Sequence, residues 1–490
     1  MKKIISTILL ASMLLSLAAC DQQTAEPQDS NGSQTTDSSQ PTDSSQPTDS
    51  SDEGTDNRET TQDGWYIQPG LTGSFSEHPV ALDENGEVDM DVALAYETDI
   101  DALIKELEAQ PVDGSKPVSK NASEETVALF NFLRENYGKK IFAGQQIFDN
   151  AQYEDILYYI ETGDLPAIKG FDMIFSTGNQ SINDYQIEEA IKWHTQQNGI
   201  VAFCWHWQVP IDIDVENTTA IHFYTEHITN FSLENAVTPG TKEYEIVIKD
   251  IDTVALKLQR LEAAGVPVLW RPLHEASGTW FWWGQTREAY ENQLYQKLWY
   301  MVYDRLENYH KLTNLIWVWN GQNAATKVNA NTYDIGGMDI YPNNEDHSAQ
   351  AGQYNALSNI MDENKMAAIS ECGYIPDDDE VFAEDSDVKW LYFMPWYGDF
   401  ICNATDSGMI ITSLGGTPTV NEKRISSELL KKIYASDKVI TLSELPDWDG
   451  TPKYLPQYIR TWKFNNQNRE TAESKLTDYL DEDPGIDLHE

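Results

Sequence analysis

From about residue 124 onward, short apolar runs alternate with longer stretches in which apolar residues recur at every third or fourth position. That alternation is the pattern of a parallel α/β domain. Eight runs read as strands: Lys140 to Ala143, Phe171 to Phe175, Ile200 to Trp205, Val266 to Trp270, Leu315 to Trp319, Gly337 to Tyr341, Ala367 to Ser370 and Trp390 to Pro395. Between them the spacing predicts helices. Glu124 to Tyr137 follows Ser123 as cap, Tyr244 to Ala264 is closed by Gly265, and Arg287 to Lys311 follows Thr286. Eight β/α units in this length predict a (β/α)8 TIM barrel over residues 121–470. Only about 20 residues separate the fifth and sixth strands, so a helix there is short or missing. The stretch from Gln208 to Lys242 is a long insertion expected over the carboxyl-end face. Residues 64–120 have a mixed pattern and read either as a strand and helix packed on the barrel or as a small module, and residues 471–490 as an acidic tail.

The first 63 residues have neither period. Lys2 and Lys3 precede an apolar run, Ile4 to Ala19, of signal-peptide length and short for a spanning helix. The run ends Leu17-Ala18-Ala19-Cys20, similar to the bacterial lipobox, in which the cysteine thiol is acylated. Residues 1–20 are therefore expected to be a lipoprotein signal, with Cys20 as the lipidation site. Residues 21–63 include the repeat Thr-Asp-Ser-Ser-Gln-Pro over 36–51, are too polar to bury a core and extended by like charge, and read as a disordered spacer. The expected location is the extracellular face of a cell membrane, reached through the anchor alone, with a Gram-positive surface favoured over an outer membrane.

Composition narrows the chemistry. With 33 Lys plus Arg against 80 Asp plus Glu the net charge is −47, which excludes a nucleic-acid binder. The 4 cysteines include Cys20, so Cys204, Cys372 and Cys402 allow at most one disulfide. Cys204 and Cys372 sit in or beside strand runs and read as buried thiols. No CxxC, HExxH, phosphate loop, dinucleotide fingerprint or G-x-S-x-G elbow is present. Asp377-Asp378-Asp379-Glu380 and Asp83-Glu84-Asn85-Gly86 lack the twelve-residue calcium-loop spacing and read as solvated loops.

Active sites of such barrels lie at the carboxyl ends of the strands. There the chain places Trp205-His206-Trp207 after the third strand and Arg271-Pro272-Leu273-His274-Glu275 after the fourth, continuing to Gly278-Thr279-Trp280-Phe281-Trp282-Trp283-Gly284. Asp339-Ile340-Tyr341 ends the sixth, Ser370-Glu371-Cys372-Gly373 the seventh and Trp396-Tyr397-Gly398 follows the eighth. Glu275 and Glu371 thus face one barrel mouth from strands 4 and 7. Paired carboxylates across a cleft suit glycosidic bond cleavage, one donating a proton to the leaving oxygen while the other attacks the anomeric carbon. Trp205, Trp207, Trp280, Trp282, Trp283 and Trp396 would offer flat faces on which sugar rings stack. Trp270, Trp317 and Trp319, inside strand runs, read as packing. Glu371 must be ionised to attack, and Tyr341, Arg271 or His206 could supply donors; burial beside Trp280 would favour a protonated Glu275.

Arg-Pro-Leu-His-Glu, then Gly-x-Trp-Phe-Trp-Trp-Gly, then Ser-Glu-x-Gly about 96 residues after the first glutamate, resembles glycoside hydrolase family 26, best represented by β-mannanases, over roughly residues 124–440. The resemblance implies Glu275 as acid/base and Glu371 as nucleophile of a retaining double displacement. It further implies that Arg271 and His274 frame the sugar at the cleavage point, that His206 touches the same sugar, and that Tyr341 hydrogen-bonds the nucleophile. Asp339 would be a substrate-side acid, and Trp280 and Trp396 stacking platforms. The chemistry implied needs no cofactor and no metal. The expected partner is a β-1,4-mannan, glucomannan or galactomannan chain and the expected state a monomer. β-1,3-Xylan or mixed-linkage β-glucan remains an alternative substrate, and a non-catalytic glycan-binding surface lipoprotein an alternative role.

Overall fold

A computed structural model describes residues 79–147, 153–177, 185–215, 218–284, 286–403, 417–448, 450 and 453–467. Cys20, the repeat and residues 471–490 lie outside these residues. Contacts divide the chain into Met1–Arg58 and Glu59–Glu490, and all described residues belong to the second unit.

Eight parallel strands are present: β1 (Ile141–Gln146), β2 (Ile168–Asp172), β3 (Ile200–Cys204), β4 (Val268–Arg271), β5 (Leu315–Trp319), β6 (Ile335–Ile340), β7 (Met366–Cys372) and β8 (Trp390–Pro395). They pair in chain order, and β8 returns to β1 with Phe142 opposite Tyr392, closing the barrel. Helices between successive strands cover the outside, as expected of a TIM barrel. Val439–Ile440 adds a short parallel pairing to the start of β1. Nearly every strand residue is buried on both faces, which explains why the strands read as continuous apolar runs rather than alternating ones.

Three local features depart from the periodicity. β2 begins at Ile168, not Phe171, because Lys169 and Gly170 hide the strand: the Lys169 ammonium is buried against Asp155 and the Tyr458 hydroxyl. Met173–Phe175 is instead a tight 3-10 turn, capped by the Asp172 carboxylate accepting from the Ile174 amide. The helix expected over Arg287 to Lys311 is broken, into Arg287–Glu291 and Leu294–Asp304, followed by a π-turn at Arg305–Tyr309. Gln293, at φ 53°, is the break. The other two expected helices form behind side-chain caps, Ser123 before Glu124–Asn136 and Thr241 before Lys242–Ala263. Gly265, at φ 70°, ends the second in a conformation that a side chain would disfavour. Between β5 and β6 there are two 3-10 turns, Ala324–Thr326 and Ala330–Thr332, and no α-helix.

Residues 79–120 pack on the barrel's helices. The Arg305 guanidinium, paired with Asp252, donates to the Ala93 carbonyl, Tyr96 donates to Asp304, and Ser119 donates to Glu307. The insertion forms a short antiparallel pair, Val209–Pro210 with Ile221–His222. It is stitched to the loop after β4: the Trp282 amide donates to the Phe223 carbonyl and the Thr225 amide to the Trp280 carbonyl. The insertion therefore walls one side of the mouth.

Candidate active site

Glu371 lies in β7 and Asp339 in β6, and their registers meet at an irregularity. Met338 faces Ile369, but the next residue, Asp339, faces Glu371, leaving Ser370 as an extra residue on β7. Such a bulge re-aims side chains. Here it sets the Asp339 and Glu371 carboxylates side by side and turns the Ser370 hydroxyl onto Asp339, to which it donates at 2.6 Å.

Two like charges side by side need a cation. Arg271, the last residue of β4, donates to Glu371 at 2.7 Å and to Asp339 at 3.1 Å. Burial alone would lower the guanidinium pKa, but Asp339 and Glu371 together hold it well above its usual value. Tyr341, directly after β6, donates its hydroxyl to the other Glu371 oxygen at 2.7 Å. Burial, then the charge of Glu371, pushes the Tyr341 pKa up, so it stays a phenol and a donor. Burial and then Glu371 also raise the Asp339 carboxyl. Glu371 thus has one donor on each oxygen, the arrangement that orients a buried carboxylate.

Glu275 follows β4 by four residues on a strained turn. Leu273 and Glu275 stand at φ 52° and φ 51°, left-handed conformations costing each non-glycine residue about 1–2 kcal/mol. Trp280 donates its indole N–H to Glu275 at 2.6 Å. The closest oxygens of Glu275, Asp339 and Glu371 all lie within 4.8 Å of one another. That closeness fits carboxyl groups about 5–5.5 Å apart, as in retaining glycosidases, better than the roughly 6.5–9.5 Å that inversion needs.

The histidines form a separate line. Asp172 at the end of β2 accepts from the His206 amide at 3.0 Å and meets His206 Nδ1 at 2.6 Å. His206 Nε2 in turn meets His274 Nε2 at 3.3 Å. Burial, then His206 and Arg271, depress the His274 pKa well below its usual value, so that ring is neutral. Of the three donors expected at Glu371, Arg271 and Tyr341 serve it, whereas His206 is spent on Asp172.

The tryptophans depart most from expectation. Trp205, Trp207, Trp282, Trp283 and Trp396 are buried, and only Trp280 is partly exposed. They are the footing of the mouth, not its surface. Trp205 and Trp207 stack at 3.9 Å, Trp207 donates to Asp250, Trp282 to the Trp207 carbonyl and Trp283 to the His274 carbonyl. Trp396 packs its ring edge-on to His206 at 5.8 Å. Trp280, moreover, meets Glu275 as a hydrogen-bond donor and not as an apolar wall.

Asp172 and Asn320 complete the site and escaped the sequence reading. Each is a polar residue at the carboxyl end of a barrel strand, the signal by which Glu275 and Glu371 were found. Asp172, Cys204 and His206 also come within 4.8 Å of one another. They make a poor metal set: His206 occupies both Asp172 oxygens, and burial, then Asp172, keeps the Cys204 thiol protonated. Asp377 caps a one-turn helix, Asp378–Val381, with Asp378 buried, rather than a solvated loop, and Lys432 already pairs with Asp377 and Asp379; Asp83 caps its own turn through the Asn85 and Glu87 amides.

Residues 118–410 match the profile of glycosyl hydrolase family 26. The chain belongs to this family. A relative from Piromyces sp, mannan endo-1,4-beta-mannosidase A, is 41% identical over 282 residues, covering 56% of this chain and 44% of its own length. The family 26 chain thus spans about half the length of that relative. A ruminal GH26 endo-beta-1,4-mannanase has a similar structure, with TM-score 0.60 and 29% identity over 68% of this chain and 71% of its own. So does a beta-mannanase from a symbiotic protist of the termite Reticulitermes speratus, solved with a gluco-manno-oligosaccharide, with TM-score 0.58 and 32% identity over 68% of this chain and 98% of its own.

Proposed function

We propose that the protein is a retaining endo-β-1,4-mannanase acting on mannan, glucomannan or galactomannan. The supporting observation is the Glu275–Glu371 spacing, with Glu371 held by Arg271 and Tyr341; the substrate class comes from relatives named as mannan endo-1,4-beta-mannosidases. In the first half-reaction a Glu371 oxygen attacks the anomeric carbon while Glu275 gives its proton to the departing glycosidic oxygen. The C–O bond breaks, a glycosyl ester forms on Glu371, and Glu275 is left ionised. In the second half-reaction Glu275 takes a proton from water, whose oxygen attacks the same carbon and expels Glu371 as carboxylate. Retention follows from two displacements on opposite faces.

Asp339 gives the cycle an electrostatic rationale. Before attack, Arg271 faces two carboxylates; once Glu371 is an ester, it faces Asp339 alone. Burial and then the charge of Glu371 raise the Asp339 carboxyl, and the second of these causes vanishes as the ester forms. The neutral His274 ring, beside His206, can meet sugar hydroxyls without adding charge.

Cys20 behind the apolar run and the polar repeat fit a lipid anchor and a spacer, which would hold a monomeric enzyme at the outer face of a membrane, within reach of a polymer that cannot enter the cell.

Reducing-sugar release from β-mannan, glucomannan, β-1,3-xylan and mixed-linkage β-glucan tests the reading, with Glu371→Gln as the blank. Release from the mannans alone is expected, and Glu371→Gln should lose at least about a thousandfold. Release from another polymer alone would replace the substrate. Binding without release from any would replace the hydrolase with a glycan-capture protein.

A further inference from the structure

The amide of Asn320, fully buried just past β5, joins the two halves of the site. Its Oδ1 accepts from the backbone N–H of Glu275 at 2.7 Å. Its Nδ2 donates to the Ser370 hydroxyl at 2.7 Å and to Asp339 at 3.1 Å. The orientation is unambiguous, since an N–H lies on one side of the amide and a carboxylate on the other. The partners on Nδ2 flank Glu371 in β7 and β6, while the partner on Oδ1 is the strained residue that carries the facing carboxylate. The fold also leaves room for this amide. A Cβ on Gly337 would stand 2.9 Å from Asn320 Nδ2 and 2.5 Å from Ser370 Oγ, both closer than packing allows.

We infer that Asn320 is a positioning residue that holds the backbone of Glu275 against the Asp339–Ser370 side of the site, fixing the separation between the proton donor and the nucleophile. The inference rests on the proposed hydrolytic reading. Glu275, at φ 51°, donates its amide to the side chain of a residue 45 positions away, so loss of Asn320 frees the turn to relax. Glu371, held by Arg271 and Tyr341, keeps its own donors. Proton donation should therefore suffer more than nucleophilic attack.

The experiment compares wild type, Asn320→Ala, Asn320→Asp and Gly337→Ala on two substrates of the same glycone. One is a manno-oligosaccharide, whose leaving group needs a proton; the other is a dinitrophenyl glycoside, whose leaving group does not. Asn320→Ala is expected to lower kcat about 10- to 100-fold on the oligosaccharide, with KM nearly unchanged, and to lower the pre-steady-state burst rate on the aryl substrate by less than about threefold. Gly337→Ala, which crowds the amide without removing any side chain, should give the same imbalance in weaker form. Asn320→Asp keeps an acceptor for the Glu275 amide but, once ionised, faces Asp339 without a donor; its activity should fall more steeply with rising pH than wild type. Equal losses on both substrates, or a drop in Tm with kcat retained, would overturn the positioning role. The comparison uses whichever β-glycan the wild type hydrolyses, so a mistaken substrate leaves it standing. No hydrolysis of any glycan by the wild type would overturn the hydrolytic reading and this inference together.

Discussion

At the scale of single residues, the site works by giving each charged group a definite set of partners. Tyr341 is the clearest case, because its hydroxyl is a donor held by burial and its acceptor is one oxygen of Glu371. A hydrogen bond to a charged group contributes about 1.5–3 kcal/mol, so Tyr341→Phe should lower kcat/KM about 10- to 100-fold while leaving the melting temperature nearly unchanged. Steady-state kinetics on mannan set beside a thermal melt would check this, and a full-strength kcat/KM would show that Arg271 alone orients Glu371. The residues with unusual chemistry were legible in the sequence because a pair of glutamates beside Arg, His and Tyr at strand ends has few other uses. The roles of the tryptophans were not. Whether an indole faces sugar or core depends on neighbours far along the chain, as when Asp250, 43 residues on, takes the Trp207 N–H.

At the scale of elements, the eight strands and their order followed from apolar runs, since a barrel strand is buried on both faces and its composition says so. The broken helix after the β4 loop did not follow. Apolar spacing persists across residues 287–311, and the interruption comes from one backbone conformation, Gln293 at φ 53°, which leaves no trace in periodicity. Lys169 in β2 shows the converse, a charged residue made compatible with a strand by Asp155 and Tyr458, neither of which is near it in sequence. Gln293 also supplies a prediction. Its side chain is exposed, and a left-handed residue costs about 1–2 kcal/mol, whereas glycine costs about 0.5–1 kcal/mol in added chain freedom. Gln293→Gly should therefore stabilise the fold by up to about 1 kcal/mol in a denaturant titration, with activity unchanged; destabilisation would mean that the turn is relaxed as it stands.

At the scale of the whole molecule, three buried carboxyls away from Glu275 and Glu371 contribute to the pH response. Burial pushes Glu307 up to about 8, Asp250 up to about 7 and Asp334 up to about 6. Glu307 ties Ser119 to Trp317, and Asp334 ties the Val118 amide to that of Trp317, so both link the segment before the barrel to β5. A carboxyl whose folded pKa exceeds its unfolded value of about 4 holds its proton more tightly when folded. Its contribution is complete below about pH 4 and is lost as pH climbs through the folded value. Carboxyls perturbed the other way, such as Asp252 against Arg305 and His310, stabilise above about pH 4 and lose that contribution only in stronger acid. His222, lowered by burial to about 4, and His274, lowered well below its usual value, act with the opposite sign, but only below their unfolded value of about 6.5. Between about pH 6.5 and 8 the raised group therefore decides the slope, and stability should fall as pH rises. A tenfold difference in proton affinity between the folded and unfolded chain is worth about 1.4 kcal/mol, so the combined loss is on the order of a few kcal/mol, or about 2–5 °C in Tm for a domain of this size. Glu307→Gln keeps an acceptor for the Trp317 indole and a partner for Ser119 but cannot ionise, so its Tm should vary less with pH than that of the wild type, the two curves converging toward pH 5.5 and separating toward pH 8. Parallel curves would show that Glu307 is not a source of the slope, and would leave Asp250, Asp334 and Asp339 to account for it.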